Sequence, residues 1–390
     1  MSLRGAFALD PSVVHLNHGS FGAVPRVVSQ AQHRVRERVE ANPLRFHRVE
    51  MPRLKAQARH VAADFLDVDA DDVALVRNVT HAAATVLSTL VNDGHIGAGD
   101  AVILARHGYE SVSAMVDRLS RRVEAIVEIA DFPVDAGPDA VVEAHRRAFE
   151  RAQARGHRPS LLVIDHVASP TAAVVPVARL AAVAREAGAL SLVDAAHVPG
   201  QLPARPEATG ADFWTGSWHK WGFAPRGTTA LWAAPKHRAG LEPLATAAPA
   251  ETSFPLPFDR TGTDDATGWY CLAEAIAFWN DCGGPAIAER SRAMADEGAA
   301  VVAAALPEAD GPTPVETAPC MRLVALPAGV ASTPGDADAL YERLSTRGFE
   351  VQVVSYGGRG HLRLSAAVYN EPADYERLAK ALPEELRATS

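Results

Sequence analysis

Two rhythms of apolar positions alternate along the first two thirds of the chain. Short apolar runs at Val73 to Val76, Ala101 to Ala105, Val123 to Ile129, Leu161 to Asp165 and Ser191 to Val193 read as buried strands. Between them, segments with a 3.6-residue period read as helices over roughly 26–40, 51–66, 81–90, 138–155 and 177–188. Pro25 suits a first helical turn, Asn42-Pro43 breaks the first pair of helices, and Gly188 closes the last one. Strands alternating with helices predict an α/β protein with a mostly parallel open sheet and reactive groups gathered at strand ends.

From about residue 285 the pattern changes. An alanine-rich helix, a strand at 321–326, a helix near 336–346, strands near 350 and 361 and a final helix predict a smaller α+β domain. The expected division is an arm over 1–24, a large domain over 25–284 and a small one over 285–390. Residues 241–260 are proline-rich without periodicity and read as a long surface loop.

Composition narrows the function classes. At 390 residues and 48% hydrophobic, the chain is long enough for more than one core. No apolar run reaches membrane-spanning length and no basic-then-apolar leader opens the sequence, so a cytoplasmic protein is expected. A net charge of -9 argues against general nucleic-acid binding. Cys271, Cys282 and Cys320 make neither a disulfide framework nor a zinc site.

The chemistry centres on Gly216-Ser217-Trp218-His219-Lys220-Trp221, which sets a lysine between two large aromatics. Desolvation lowers a lysine's pKa, and a neutral amine attacks an aldehyde, so Lys220 is a candidate Schiff-base lysine. The alternative is a lysine laying its stem along tryptophan with its head in water. A second strand end, Asp194-Ala195-Ala196-His197, brings an acid and an imidazole 26 residues upstream of Lys220. Taken alone it also reads as half a metal site or a helix N-cap, although no second cluster supports a metal. Pyridoxal phosphate (PLP) needs an amine, a carboxylate for its pyridine nitrogen and a partner for its ring hydroxyl; Lys220, Asp194 and His197 supply that set. The strand-turn-helix entry at Asn78-Val79-Thr80-His81 is either a phosphate seat or a plain N-cap.

These motifs, with Leu16-Asn17-His18-Gly19-Ser20-Phe21-Gly22, Gly262-Thr263, Arg363-Leu364-Ser365 and Val368-Tyr369-Asn370, resemble the class V aminotransferase group of fold-type I PLP enzymes. Within it, the isopenicillin N epimerase-like branch is the nearest in pattern, and the resemblance runs over nearly the whole chain. It implies that Asn78, Thr80, His81, Ser217 and His219 surround the cofactor, that Tyr109 covers one ring face with His107 as rival, and that Ser169 lies near the ring hydroxyl or the substrate carboxylate. It further implies that the arm packs near the small domain and the active site, that Arg363 holds the substrate carboxylate, that Asn17 to Gly22 border the substrate pocket, that Arg45 is a substrate contact reaching toward the partner subunit's site, and that Gly262 and Thr263 cross to the phosphate site of the other subunit of a homodimer.

For reaction type, the resemblance leaves several outcomes at the α-carbon. With no cysteine between 327 and 362, persulfide chemistry of the desulfurase kind is set aside. The leading expectation is a carbon-sulfur β-lyase acting on a cysteine S-conjugate in specialised metabolism. Epimerisation, decarboxylative deamination and transamination are the alternatives, and a cofactor-free binding protein on the same scaffold is the reading from another class.

Overall fold

The computed structural model describes residues 3–245, 253–306 and 309–387. Part of the proline-rich loop, 246–252, lies outside them. An N-terminal arm carries β1 (Val14–His15) and a helical turn, His18–Phe21. The large sheet then forms from β2 (Val73–Val76), β3 (Asp100–Ala105), β4 (Ile126–Ala130), β5 (Arg158–Asp165), β6 (Leu190–Ala195), β7 (Phe213–Ser217) and β8 (Thr229–Ala233). Its order is β2-β8-β7-β6-β5-β3-β4; β8 pairs antiparallel with both neighbours, and the other pairs are parallel.

Both faces of this sheet are covered, which is why its strands are near-continuous apolar runs. One face packs on helices Arg26–Ala41, Met51–Leu66, Pro138–Ala154 and Val177–Glu186, the other on Val79–Asn92 and Glu110–Arg122. The expected break at Asn42-Pro43 narrows to Asn42 alone. The Asn42 side chain accepts from the Arg45 amide, Pro43 opens a new helical stretch, and the helix widens through Phe46–Glu50 into Met51–Leu66. Proline fits there because the first helical amide has no partner within the helix. Strand β8 has no counterpart in the predicted elements; its Thr229–Ala233 run is fully buried but sits against a Gly-Thr-Thr turn that masks its start.

The C-terminal part packs helices Ala286–Ala304, Pro334–Thr346 and Pro372–Arg387 on a three-stranded antiparallel sheet of β9 (Met321–Ala325), β11 (Gln352–Tyr356) and β12 (Arg359–Ser365), ordered β11-β12-β9. Between them, β10 (Phe349–Glu350) pairs in parallel with β1, and Val14 and Leu16 enter the core of this part. Among the described residues no helix is long and apolar enough to cross a membrane.

Burial of neutral histidines gives the fold an acid limit. His145, 1% exposed, donates from Nδ1 to the Val141 carbonyl at 2.7 Å, and burial pushes its pKa down to about 4. The unfolded chain binds that proton near pH 6.5 and the folded one does not, so the stability it confers is full above 6.5 and is lost toward 4. Replacing His145 with Gln removes this contribution. The stability gap between wild type and His145→Gln, read from urea midpoints, is expected to shrink on acidification by at most about 1.4 kcal/mol per pH unit between those limits.

Candidate active site

Strand β7 ends at Ser217, and the turn that follows carries Lys220 three residues past the sheet edge rather than on it. The turn is pinned from two sides. Trp218 is fully buried against Phe65 and Trp269, and Gly200, at φ +97°, lies so close that a Cβ there would fall 2.2 Å from the Trp221 carbonyl oxygen. The tryptophans are therefore packing residues that hold the lysine's turn in register.

Lys220 Nζ lies 3.1 Å from His197 Nε2. Burial lowers its pKa to about 8, with Asp194 opposing that shift and Arg363 adding to it. His197 is 2% exposed and burial holds its pKa well below 6.5, so it is neutral at ordinary pH. The Trp221 indole N–H donates to His197 Nδ1 at 3.4 Å, which leaves the ring's proton on Nε2, facing the lysine. Such a proton needs an unprotonated amine, or the phenolic oxygen of a bound ring, as acceptor.

Asp194 closes the group. Its Oδ1 accepts from the Ala196 amide at 2.9 Å, while its Oδ2 is buried with no hydrogen-bond partner. An orphaned carboxylate oxygen at a strand end beside a lysine is what a protonated pyridine nitrogen would satisfy. The residues present fit PLP on this count. At the phosphate end the N-terminus of helix Val79–Asn92 would seat the phosphate with Thr80 and His81, and His219 remains beside the lysine; His81 and His219 each carry a buried unpaired Nδ1.

Arg363, on β12, is 2% exposed and its pKa is lowered to about 10 by burial. It donates to the Ser169 carbonyl and hydroxyl, to Asn17 Oδ1 at 3.0 Å and to Ser20 Oγ at 2.9 Å, and its Nε has no partner. Every one of these acceptors is neutral, and among the described residues no carboxylate pairs with it. A buried guanidinium kept without a counter-ion is costly, and a substrate carboxylate would supply the missing charge.

Several expected contacts are revised by the geometry. Asn78 spends its side-chain oxygen on the His81 amide at 2.8 Å; it is the helix cap, so neither that oxygen nor that amide faces a phosphate. Ser217 shares a 2.7 Å hydrogen bond with Thr229 on the neighbouring strand. Ser169 lies on Arg363, the carboxylate side of the two places the resemblance allows. His107 is excluded as the ring cover, since it stacks on Phe132 at 4.3 Å and bonds that residue's carbonyl. Tyr109 stands at the start of the next helix, half-exposed, with its amide donating to Asp165 Oδ1 at 2.8 Å.

Beside the cluster opens a cleft of about 1200 Å³ whose walls include Phe21, His81, His219, Gly262 and Thr263. Thr263 thus shares a cleft with His81 of its own chain, in a loop tied down by Arg77 to Asp264 at 2.7 Å. Arg45 is exposed and does not line this cleft; Leu44, His47 and Arg48 of the same helical stretch do.

Gln352 and Asp165 escape the sequence reading, and Ser20 enters it only as part of the turn Asn17 to Gly22. Ser20 and Gln352 complete the network around Arg363 and Asn17, with Asn17 Nδ2 to Gln352 Oε1 at 3.3 Å. The signal for Ser20 is its three-residue spacing from Asn17, one helical turn. Asp165 is the register partner of Asp194 on β5, and burial together with the Asp194 charge raises its pKa well above the usual carboxylate range. Its signal is an acid ending an apolar strand, the pattern already recognised at Asp194.

The family model Aminotransferase class-V matches residues 17–317. The chain is 31% identical over 403 residues to an isopenicillin N epimerase of Amycolatopsis lactamdurans, covering 98% of this chain and 97% of that one. It is 32% identical over 410 residues to a putative L-cysteine desulfhydrase 1 of Oryza sativa subsp. japonica, covering 96% and 83%. Among solved structures, a C-DES mutant with glycine covalently linked to its PLP cofactor superposes with a TM-score of 0.80 at 17% identity, over 97% of this chain and 98% of that one. An apo cysteine desulfurase from Thermococcus onnurineus NA1 gives 0.78 at 17%, over 99% and 98%. The fold, the Asp194–Lys220 pair and these matches agree: the chain belongs to the class V aminotransferase family of fold-type I, PLP-dependent enzymes.

Proposed function

We propose that this enzyme is a carbon-sulfur β-lyase that releases a thiol from L-cysteine or a cysteine S-conjugate, the conjugate being one of specialised metabolism. The observation that carries the reading is a single amine, Lys220 Nζ, set between Asp194 and a buried Arg363 that lacks a counter-ion. Arg363 binds the substrate carboxylate. Asp194 would hold the pyridine nitrogen of PLP in its protonated form, and the cofactor when bound would supply the sink for the electron pair left at the α-carbon. Lys220 Nζ takes the α-proton and carries it toward the departing sulfur, with His197 Nε2 within reach of the amine. Cysteine S-conjugate and water thus become thiol, pyruvate and ammonium.

Two features favour elimination over its rivals. Epimerisation needs a second proton donor on the face opposite Lys220; Phe132 withdraws His107 from that role, which leaves Tyr109 as the donor an epimerase would have to use. A persulfide relay needs an accessible thiolate, whereas all three cysteines are buried and burial lifts Cys320 to about 12. The relatives include a cysteine desulfhydrase and an isopenicillin N epimerase, which supports the choice between these two classes.

The active form is a homodimer in which Thr263 of each subunit reaches the other's phosphate. Phe21, 72% exposed, and Leu44, 68% exposed, beside the same cleft support that assembly.

Purified enzyme given L-cysteine and S-substituted cysteines should release pyruvate and thiol, or sulfide, in equal amounts. Absence of pyruvate, together with racemisation and deuterium uptake at the α-carbon in heavy water, would replace the lyase by an epimerase.

A further inference from the structure

The motif Val368-Tyr369-Asn370 has no place in the chemistry above, yet it meets the arm, 351 residues away, at the lysine's back. His18 is 2% exposed and sits between Tyr369 and the Lys220 backbone. Its Nε2 lies 2.8 Å from the Lys220 carbonyl oxygen, which only accepts, so Nε2 carries the proton. Nδ1 is then an acceptor, and both groups facing it are donors: the Tyr369 hydroxyl at 3.2 Å and the Ala23 amide at 3.3 Å. One neutral tautomer satisfies all three partners, and burial pushes the pKa of His18 down to about 4.

The same helical turn holds the other end of the site. Asn17 and Ser20 accept from Arg363 Nη2, Ser20 Oγ donates to Asn17 Oδ1 at 2.8 Å, and the Gly19 amide donates to Ser365 Oγ at 3.2 Å. At the turn's exit Gly22, at φ +67°, lies against the lysine's neighbour; a Cβ there would fall 2.1 Å from the His219 carbonyl oxygen. The arm is anchored in turn: β1 pairs with β10, Asn370 Nδ2 donates to the His15 carbonyl at 2.8 Å, and Arg4 pairs with Asp374 at 2.5 Å.

We propose that the turn Asn17–Gly22 is a clamp fixing the separation between Lys220 and Arg363, with His18 as the positioning residue at the lysine end. A substrate's α-carbon and carboxylate are adjacent atoms, so the base and the carboxylate grip must keep one spacing. Misplacement of about 1 Å is enough to cost 10²-fold in rate. The large domain supplies one group and the small domain the other; among the described residues the arm touches both within six residues. The inference rests on the roles proposed above for Lys220 and Arg363.

The test looks for effects that cross the clamp in PLP-loaded enzyme. One readout is the affinity for 3-mercaptopropionate, a cysteine lacking its amine, which reports on Arg363. The other is the pH midpoint of the absorbance of PLP joined to Lys220. His18→Ala is expected to weaken 3-mercaptopropionate about tenfold, although His18 makes no hydrogen bond to Arg363, and to lower kcat more than it raises KM. His18→Gln, whose amide N–H can reach the Lys220 carbonyl, restores most of both. Ser20→Ala, at the other end, shifts the absorbance midpoint. Wild-type values for both readouts in His18→Ala and Ser20→Ala would overturn the clamp, as would a fall in melting temperature with neither cross-effect. If His18→Ala does not fold, the Ser20→Ala midpoint decides alone: a shift supports the clamp and no shift overturns it. Arg363→Gln and Lys220→Ala serve as controls. If the first leaves 3-mercaptopropionate binding intact, or the second leaves the absorbance in place, the roles of those residues fail, a result distinct from missing cross-effects, and the clamp falls with them.

Discussion

Lys220→Ala is expected to abolish turnover, by about 10³-fold or more in kcat, while leaving the fold intact. In the proposed mechanism the side chain serves twice, as the attachment point for PLP and as the base for the α-proton, and no neighbour would substitute for it; His197, whose Nε2 lies 3.1 Å from its Nζ, is neutral and directed by Trp221. Borohydride reduction of the wild-type protein followed by peptide mass analysis should locate PLP on Lys220 and find none in the variant. Because the amine of Lys220 titrates near 8 through burial, the apoenzyme should also capture added PLP faster as pH rises through 8, where the attacking, unprotonated form becomes dominant. Retention of PLP-linked absorbance in Lys220→Ala would remove the lysine from both roles.

Arg363→Gln carries the second large effect. Arg363 keeps one N–H, Nε, without a partner, and a charge-assisted hydrogen bond from it to a carboxylate is worth roughly 1.5–3 kcal/mol, which corresponds to about 10- to 10²-fold in kcat/KM. Arg363→Lys should recover little of it, because an ammonium replaces the fork with a point charge and leaves Asn17 and Ser20 without their donor. Steady-state kinetics on L-cysteine, with PLP content measured in parallel, separates this loss from loss of cofactor. An Arg363→Gln enzyme with unchanged kcat/KM would show that the carboxylate binds elsewhere.

How far the site is legible in the sequence depends on where each group's neighbours come from. Lys220, Asp194 and His197 are readable because each follows a short apolar strand, and in a parallel sheet those ends lie side by side. Arg363 is readable only through family resemblance, since nothing local distinguishes an arginine in a buried β-strand that lacks an acid from one that has found an acid. Asn78 reads equally as a cap and as a cofactor contact because both uses want the same residue at the same turn; the 2.8 Å bond to the His81 amide decides for the cap. His18 and Ser20 were within a recognised motif, but their partners, Tyr369 and Arg363, are remote in sequence, and no periodicity links positions so far apart. The antiparallel β8 escaped for a related reason: its pairing with β2 is fixed by tertiary contacts, not by its own pattern.

The pairing of β1 with β10 also has a meaning for how the protein comes into being. During synthesis the arm leaves the ribosome long before the strand it joins, Phe349–Glu350, and before the arginine it grips, 346 residues after Asn17. Closing so long a loop is entropically slow, so the seven-stranded sheet and the helices on its faces can collapse while the arm is still free. Lys220 is then present without its carbonyl partner His18, and Arg363 has yet to be made. A chain not yet synthesised past Phe349–Glu350 would therefore hold Lys220 but not Arg363, so that the two meet across the arm only after the large sheet can already have formed.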